Sequence, residues 1–147
     1  MTPPETSGGD PTRTVVALAP DLLFSSRIGE TARRLGYRFR AARSLDDLRG
    51  ALAERPALVM VDLTAPGVDL GAVFQEIEAA GRPAPVLGWT THASWKATKP
   101  RHAGCDRVVT RETLTEELPQ LLTEYVERSR RAAPVPDSGA PSSAPTA

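Results

Sequence analysis

Four uninterrupted apolar residues, Leu58-Val59-Met60-Val61, end on a carboxylate, Asp62. A turn carrying Pro66-Gly67 follows, and then an acid placed to start a helix, Asp69. Successive side chains of a strand point to opposite faces of its sheet. A continuous apolar run bounded by turn residues therefore reads as a central parallel strand, covered on both sides. Asp62 stands where that strand leaves the sheet, at the carboxyl edge where ligands and chemistry collect in open α/β folds. Two readings of Asp62 stand side by side. One is a phosphoacceptor or metal-binding carboxylate; the other is a polar residue that ends a strand by bonding the N–H groups of the following loop.

The flanking sequence supplies partners for such a strand. Residues 15–19, V-V-A-L-A, form a short apolar strand, and Asp21 can cap the next helix. A helix is expected over 22–35, with Leu23, Ile28, Thr31, Ala32 and Leu35 at roughly helical spacing. Arg33 and Arg34 favour its last turn, and Gly36 stops it. Residues 37–42 alternate Tyr, Arg, Phe, Arg, Ala, the pattern of an edge strand with one wet face. Ser44 caps a second helix, with Asp46 and Asp47 in its first turn and Leu45, Leu48 and Leu52 on one face, closed by Arg55-Pro56.

A third helix is expected from Asp69 to residue 80, with Leu70, Val73, Phe74 and Ile77 inward. A fourth strand covers 85–89 and ends on Thr90-Thr91. Residues 92–103 suggest a weak helix that Pro100 should break or kink. Residues 106–110, D-R-V-V-T, are a fifth strand, with Arg111 just past its end. Thr113-x-x-Glu116 has the form of a capping box, whereas Pro119 moves the helix start toward Leu118. Leu118, Leu121, Leu122, Tyr125 and Val126 form the apolar face of that last helix.

This β–α alternation calls for an α/β fold, a doubly wound parallel sheet with right-handed crossovers. For five strands the expected arrangement is flavodoxin-like, order 2-1-3-4-5, in three α/β/α layers. Strands one and three are then neighbours, and Asp62 faces the loop Ala19-Pro20-Asp21. One domain over 13–130 is expected. The Pro, Gly, Ser and Thr of 1–12 and the Pro, Ala and Ser of 131–147 are expected to be disordered.

Bulk properties exclude several classes. Lys and Arg number 18, as do Asp and Glu, so no bulk charge favours nucleic acid or an anionic membrane. The single cysteine, Cys105, rules out an internal disulfide or a multi-cysteine zinc site and fits a reducing compartment. No apolar run reaches the roughly 18 residues of a membrane span, and the first residues lack the basic and apolar regions of a secretory signal. A cytoplasmic location is expected.

Around Asp62 the sequence resembles the receiver domain of bacterial two-component response regulators, over about residues 13–129. Asp62-x-x-x-Pro66-Gly67-x-Asp69 is similar to the family's phosphoacceptor loop. Thr90 falls where the family places its switch hydroxyl, Ala103-Gly104-Cys105-Asp106 resembles its turn into strand five, and Arg111 stands at its lysine position. The family's paired acids at the end of strand one fall on Ala19 and Pro20, with Asp21 one position late. Mg²⁺ needs several hard oxygen ligands near octahedral geometry, and Asp62 with one displaced acid is a poor cage. Arg for Lys is not a conservative exchange at a phosphate site. Arg111 could instead pair directly with Asp62. The aromatic switch position is Val108, and Arg111-Glu112 stands for the family's Lys-Pro.

The resemblance implies a degenerate, stand-alone receiver-like protein: not an enzyme, without a cofactor, acting through a signalling partner, a histidine kinase or a regulatory protein. The alternative is a working response regulator in a phosphorelay, phosphorylated on Asp62, with Asp21 and Asp62 holding Mg²⁺ and with Thr90 and Arg111 contacting the phosphoryl group. A nucleotide-binding enzyme is disfavoured, since no phosphate-cradling glycine loop, Walker loop or Ser-His-Asp set is visible. Trp89, Trp95, Lys96, Lys99, Arg101 and His102 are read as a partner surface, against a reading in which Trp89 points into the core. Ser25-Ser26-Arg27 reads either as a contact for an anion or partner or as a solvated helix face. His92 and His102 have no second ligand at metal spacing.

Overall fold

The structure, a computed structural model, describes the backbone of residues 10–132 and side chains over 13–129. The segments expected to be disordered lie, apart from residues 10–12, 131 and 132, outside the described residues. Among the described residues five strands alternate with five helices: β1 (Asp10–Leu18), α1 (Leu22–Arg34), β2 (Tyr37–Ala42), α2 (Leu45–Ala53), β3 (Leu58–Asp62), α3 (Leu70–Ala79), β4 (Val86–Thr90), α4 (Trp95–His102), β5 (Arg107–Thr110) and α5 (Arg111–Ala132). The sheet order is β2-β1-β3-β4-β5, all parallel, as the alternation predicts. β1 starts at Asp10, ahead of the expected Val15, and its register against β2 shifts between Asp10 and Thr14.

Strand parity divides the core in two. Val15, Ala17, Leu58, Met60, Leu87 and Trp89 face the layer of α1 and α5. Val16, Leu18, Val59, Val61 and Val86 face α2 and α3. All of β3 is buried, which explains why its sequence shows no alternation. The predicted apolar face of α5 is buried throughout, at Leu118, Leu121, Leu122, Tyr125 and Val126.

The helix starts follow from short polar side chains. Asp21 accepts from the Leu23 and Phe24 amides and Ser44 from Asp47, so both cap their helices as expected, and Asp69, expected as the first residue of the third helix, caps it by accepting from Ala72. Asp47 reciprocates by accepting from the Arg43 amide at 3.1 Å. Gly36 and Gly67 carry the positive φ expected of a helix stop and a tight turn.

Several local expectations are corrected. Leu23 is 84% exposed; the inward face of α1 is Phe24, Ile28 and Ala32, which an i, i+4, i+8 row places together. Pro100 lies inside α4 and does not end it. At the start of α5 the cap is Thr110, whose Oγ1 accepts from the Thr113 amide at 3.1 Å, so the capping box is not what begins this helix. The helix kinks at Glu117, and Pro119 opens its second, longer part, where a missing N–H costs least.

Candidate functional site

Asp62 closes β3 at the carboxyl edge, 5% exposed and opposite Trp89 in register. Its Oδ1 accepts from the Thr64 amide at 2.9 Å and from the Thr64 hydroxyl at 2.8 Å. This is the loop-bonding geometry of the second reading; it leaves Oδ2 without a protein partner among the described residues. Asp62 makes no ion pair there. The direct Arg111–Asp62 pair is therefore not formed.

Arg111 pairs with Asp21 instead, Nη2 to Oδ2 at 2.8 Å. The physical cause is packing. The Arg111 guanidinium lies over the Phe24 ring, 4.3 Å from its centroid. Phe24 in turn packs against Trp89, with ring centroids 5.4 Å apart and planes tilted by 56°. The aromatic pair thus fixes a shelf on which the guanidinium rests, beside the cap of α1. Both Asp21 oxygens are engaged, Oδ1 by two helix amides and Oδ2 by Arg111. The Arg111 hydrogen bond, reinforced by the helix amides, holds the Asp21 carboxyl below its ordinary value.

Ala19 and Pro20 complete this edge and offer no carboxylate. Among the described residues, the carboxylates that β1 and β3 bring to this edge are Asp62, with one free oxygen, and Asp21, already committed twice. Such a set does not fit Mg²⁺, which keeps near-octahedral oxygen coordination. Among the described residues, no group of three or more His, Cys, Asp or Glu gathers at metal-binding distance.

Thr90 ends β4 fully buried, its Oγ1 3.2 Å from that of Thr98 on α4. The Thr98 hydroxyl also lies 2.9 Å from the Ser94 carbonyl and 3.0 Å from His102 Nε2. A hydroxyl has a single proton to share, so this small network ties Thr90 to α4 through Thr98. Sequence reasoning missed Thr98; its spacing of four from Ser94 and from His102 on one helix was the available signal.

The expected partner surface is split by the sheet. Trp89 is 1% exposed and leaves it; its parity with Leu87 sends it into the core. Its Nε1 has no hydrogen-bond partner among the described residues. Trp95 is half-buried and meets the His102 ring edge-on at 4.9 Å. Lys96, Lys99 and Arg101 are exposed on α4. An opening of about 580 Å³ lies between the loop after β4, at Thr91 and His92, and the start of α5, at Arg111 and Thr115. Ser25 is buried, and with Ser26 it lines a separate cleft along β2.

No family model and no curated protein matches the sequence. Solved structures do match the fold. The receiver domain of a putative LuxO repressor protein from Vibrio parahaemolyticus aligns at a TM-score of 0.67 and 16% identity, over 82% of this chain and 94% of that one. The receiver domain of the sensor histidine kinase PA1611 from Pseudomonas aeruginosa aligns at 0.66 and 20%, over 79% and 98%. That structure has a magnesium ion coordinated in its active site cleft. The C-terminal part of E. coli RcsC, with its linker and phosphoreceiver domain, aligns at 0.69 and 22%, over 88% and 50%. The chain has the fold of response regulator receiver domains. No helix among the described residues is long and apolar enough to cross a membrane.

Proposed function

We propose that this chain is a receiver-like signalling protein that works by binding a protein partner, without Mg²⁺-dependent phosphorylation of Asp62. The observation that carries the proposal is the Asp21–Arg111 pair. Phosphoryl transfer to a carboxylate relies on cations that neutralise the charge developing on the phosphoryl oxygens. Here Asp21, the acid at the end of β1 that the resemblance would bring to a metal, is spent as a helix cap, and the cation at the lysine position is spent on that acid. The family's other two acid positions are Ala19 and Pro20.

The same geometry supports a fixed surface. Thr90 is held to α4 by Thr98, so the hydroxyl that would move toward a phosphoryl group is already bonded elsewhere. On this reading α4, with Lys96, Lys99 and Arg101 exposed, presents one state to its partner. The partner is a component of two-component signalling, a histidine kinase or a regulatory protein. The direct test is incubation of the full chain with a small-molecule phosphodonor and Mg²⁺, followed by intact-mass analysis. The unmodified mass is expected. A phosphoryl adduct that disappears in Asp62→Asn would establish the alternative, a working phosphoacceptor.

A further inference from the structure

Among the described residues β2 is an edge strand, paired only with β1. Half of the backbone N–H and C=O groups of such a strand have no ladder partner. A cleft of about 550 Å³ follows this edge. The first turns of α1 wall it on one side, at Leu22, Ser25 and Ser26, and Glu54 after α2 is the one acid among the described residues that line it.

Four arginines open onto the cleft: Arg33, Arg38, Arg40 and Arg43. Arg40 pairs with Glu54 at 3.1 Å, and Arg33 lies 5.8 Å from the centroid of the Phe39 ring. The guanidinium groups of Arg38 and Arg43 have no carboxylate partner among the described residues; the Asp47 carboxylate accepts from the Arg43 backbone amide instead. The Arg38 Nε is shielded from solvent and has no acceptor among the described residues. A buried N–H without an acceptor is costly and rare in folded proteins, and it invites an acceptor from outside. Phe39 and Leu22, the latter 54% exposed, give the same cleft apolar surface.

Edge strands commonly carry charges that discourage chance pairing. That role accounts for Arg38 and Arg40. It does not account for Arg33 and Arg43, which lie outside the strand, nor for the desolvated Nε, nor for the apolar wall. An extended peptide laid on an exposed edge gains main-chain hydrogen bonds and places alternate side chains in flanking pockets. Guanidinium groups grip carboxylates with paired N–H donors, so an excess of arginines selects for acids.

We propose that β2 and the cleft beside it are a docking edge for an acidic, extended segment of a partner protein, which adds to the sheet as a further strand. Its backbone pairs with the free edge of β2, its carboxylates engage Arg38 and Arg43, and its apolar side chains rest on Phe39 and Leu22. The inference is independent of the chemistry at Asp62 and holds whether or not that residue accepts a phosphoryl group.

The test uses the full chain and a fluorescein-labelled peptide of alternating glutamate and valine, read by anisotropy at low salt. Saturable binding is expected, with amide shifts along 37–43. The double variant R38A/R43A should weaken it by about tenfold or more, whereas Arg128→Ala on α5, exposed and outside the lining of the cleft, should leave it unchanged. The exposed Arg43→Ala alone should weaken it in the same direction, which guards against a folding defect in the double variant. A lysine–valine peptide should not bind. Absence of binding at millimolar peptide, equal binding of the lysine peptide, or binding indifferent to both variants would overturn the proposal. Binding of inorganic polyphosphate or oligothymidylate at these arginines without the peptide would also overturn it, and would make the cleft a site for bare phosphate anions.

Discussion

Arg111 donates from Nη2 to Oδ2 of Asp21 across 2.8 Å, ninety residues away in sequence, and so is committed to an acid other than Asp62. The contact joins the start of α5 to the cap of α1. It sits over the Phe24–Trp89 aromatic pair, so one exposed ion pair marks the point where two helices and the central sheet meet.

Replacing Asp21 by Asn keeps an oxygen for the cap and removes the charge that faces Arg111. The Asp21 carboxyl in the folded chain lies below 3.8, chiefly because of the Arg111 hydrogen bond and then the Phe24 amide. Its contribution is therefore fully present above the unfolded value and is lost as pH falls through the lower folded value. Asp21→Asn should be less stable than the parent at neutral pH, and the gap should close in the acid range. The pair is exposed, so the gap should be small and should shrink with salt. Urea midpoints at the two pH values and at two salt concentrations check this. A gap that persists in acid would contradict it.

Gly88 on β4 is a packing requirement. A Cβ there would stand 2.8 Å from Cys105 Sγ and 3.2 Å from Leu63 Cδ1. Gly88→Ala should cost roughly 1–3 kcal/mol through overpacking. Adding Cys105→Ala removes the closer obstacle and should recover part of the loss. Denaturant melts of the two single variants and the double variant give the coupling directly.

Burial pushes the Cys105 thiol up to about 11, with the Asp106 carboxylate adding to the effect. The thiolate is the reactive form, so alkylation at neutral pH should be much slower than for a free thiol. The rate should rise only in the alkaline range. Iodoacetamide labelling followed by mass analysis checks it, and rapid labelling at neutral pH would place Cys105 in a different environment.

The two tryptophans should report two environments. Trp89 is sealed in the core and Trp95 is half-buried on α4. In the variant retaining only Trp89, acrylamide should quench weakly; in the variant retaining only Trp95, strongly. His102, edge-on to Trp95, titrates below 6.5 because of burial and then of Lys99. Its neutral form is the one the fold favours, so its contribution is present above the unfolded value and is lost as pH falls through the folded one. Trp95 emission should accordingly change with a midpoint below 6.5, and Lys99→Ala should raise that midpoint.

The sheet was legible because β3 is buried on both faces and writes a continuous apolar run, and because Asp21, Ser44 and Asp69 each stand at a helix start where the sequence places them. The identities at the site edge were equally legible: Ala19, Pro20, Asp62, Thr90 and Arg111 stand where the strand ends put them. What could not be read was which partner a long side chain takes. Arg111 chooses Asp21 because Phe24 and Trp89 build its shelf, a relation among three elements that no local pattern encodes. The Thr90–Thr98 tie is hidden for the same reason. Trp89 is a different case: strand parity with Leu87 already pointed inward, and the cluster of basic and aromatic residues around it pointed the other way. The arginines of β2 looked like a wet strand face, since sequence does not show that they converge on one cleft with Arg33 and Arg43.

The most direct measurement is a titration of the full chain with beryllofluoride and Mg²⁺, followed by amide NMR. Beryllofluoride stands in for the phosphoryl group on a receiver aspartate. If Asp21 and Arg111 are spent on each other, millimolar ligand should leave the amides around Asp62, Thr90 and Arg111 unmoved. Saturable shifts at those three positions, lost in Asp62→Asn, would contradict the account and mean that the site still does phosphoryl chemistry despite Ala19 and Pro20.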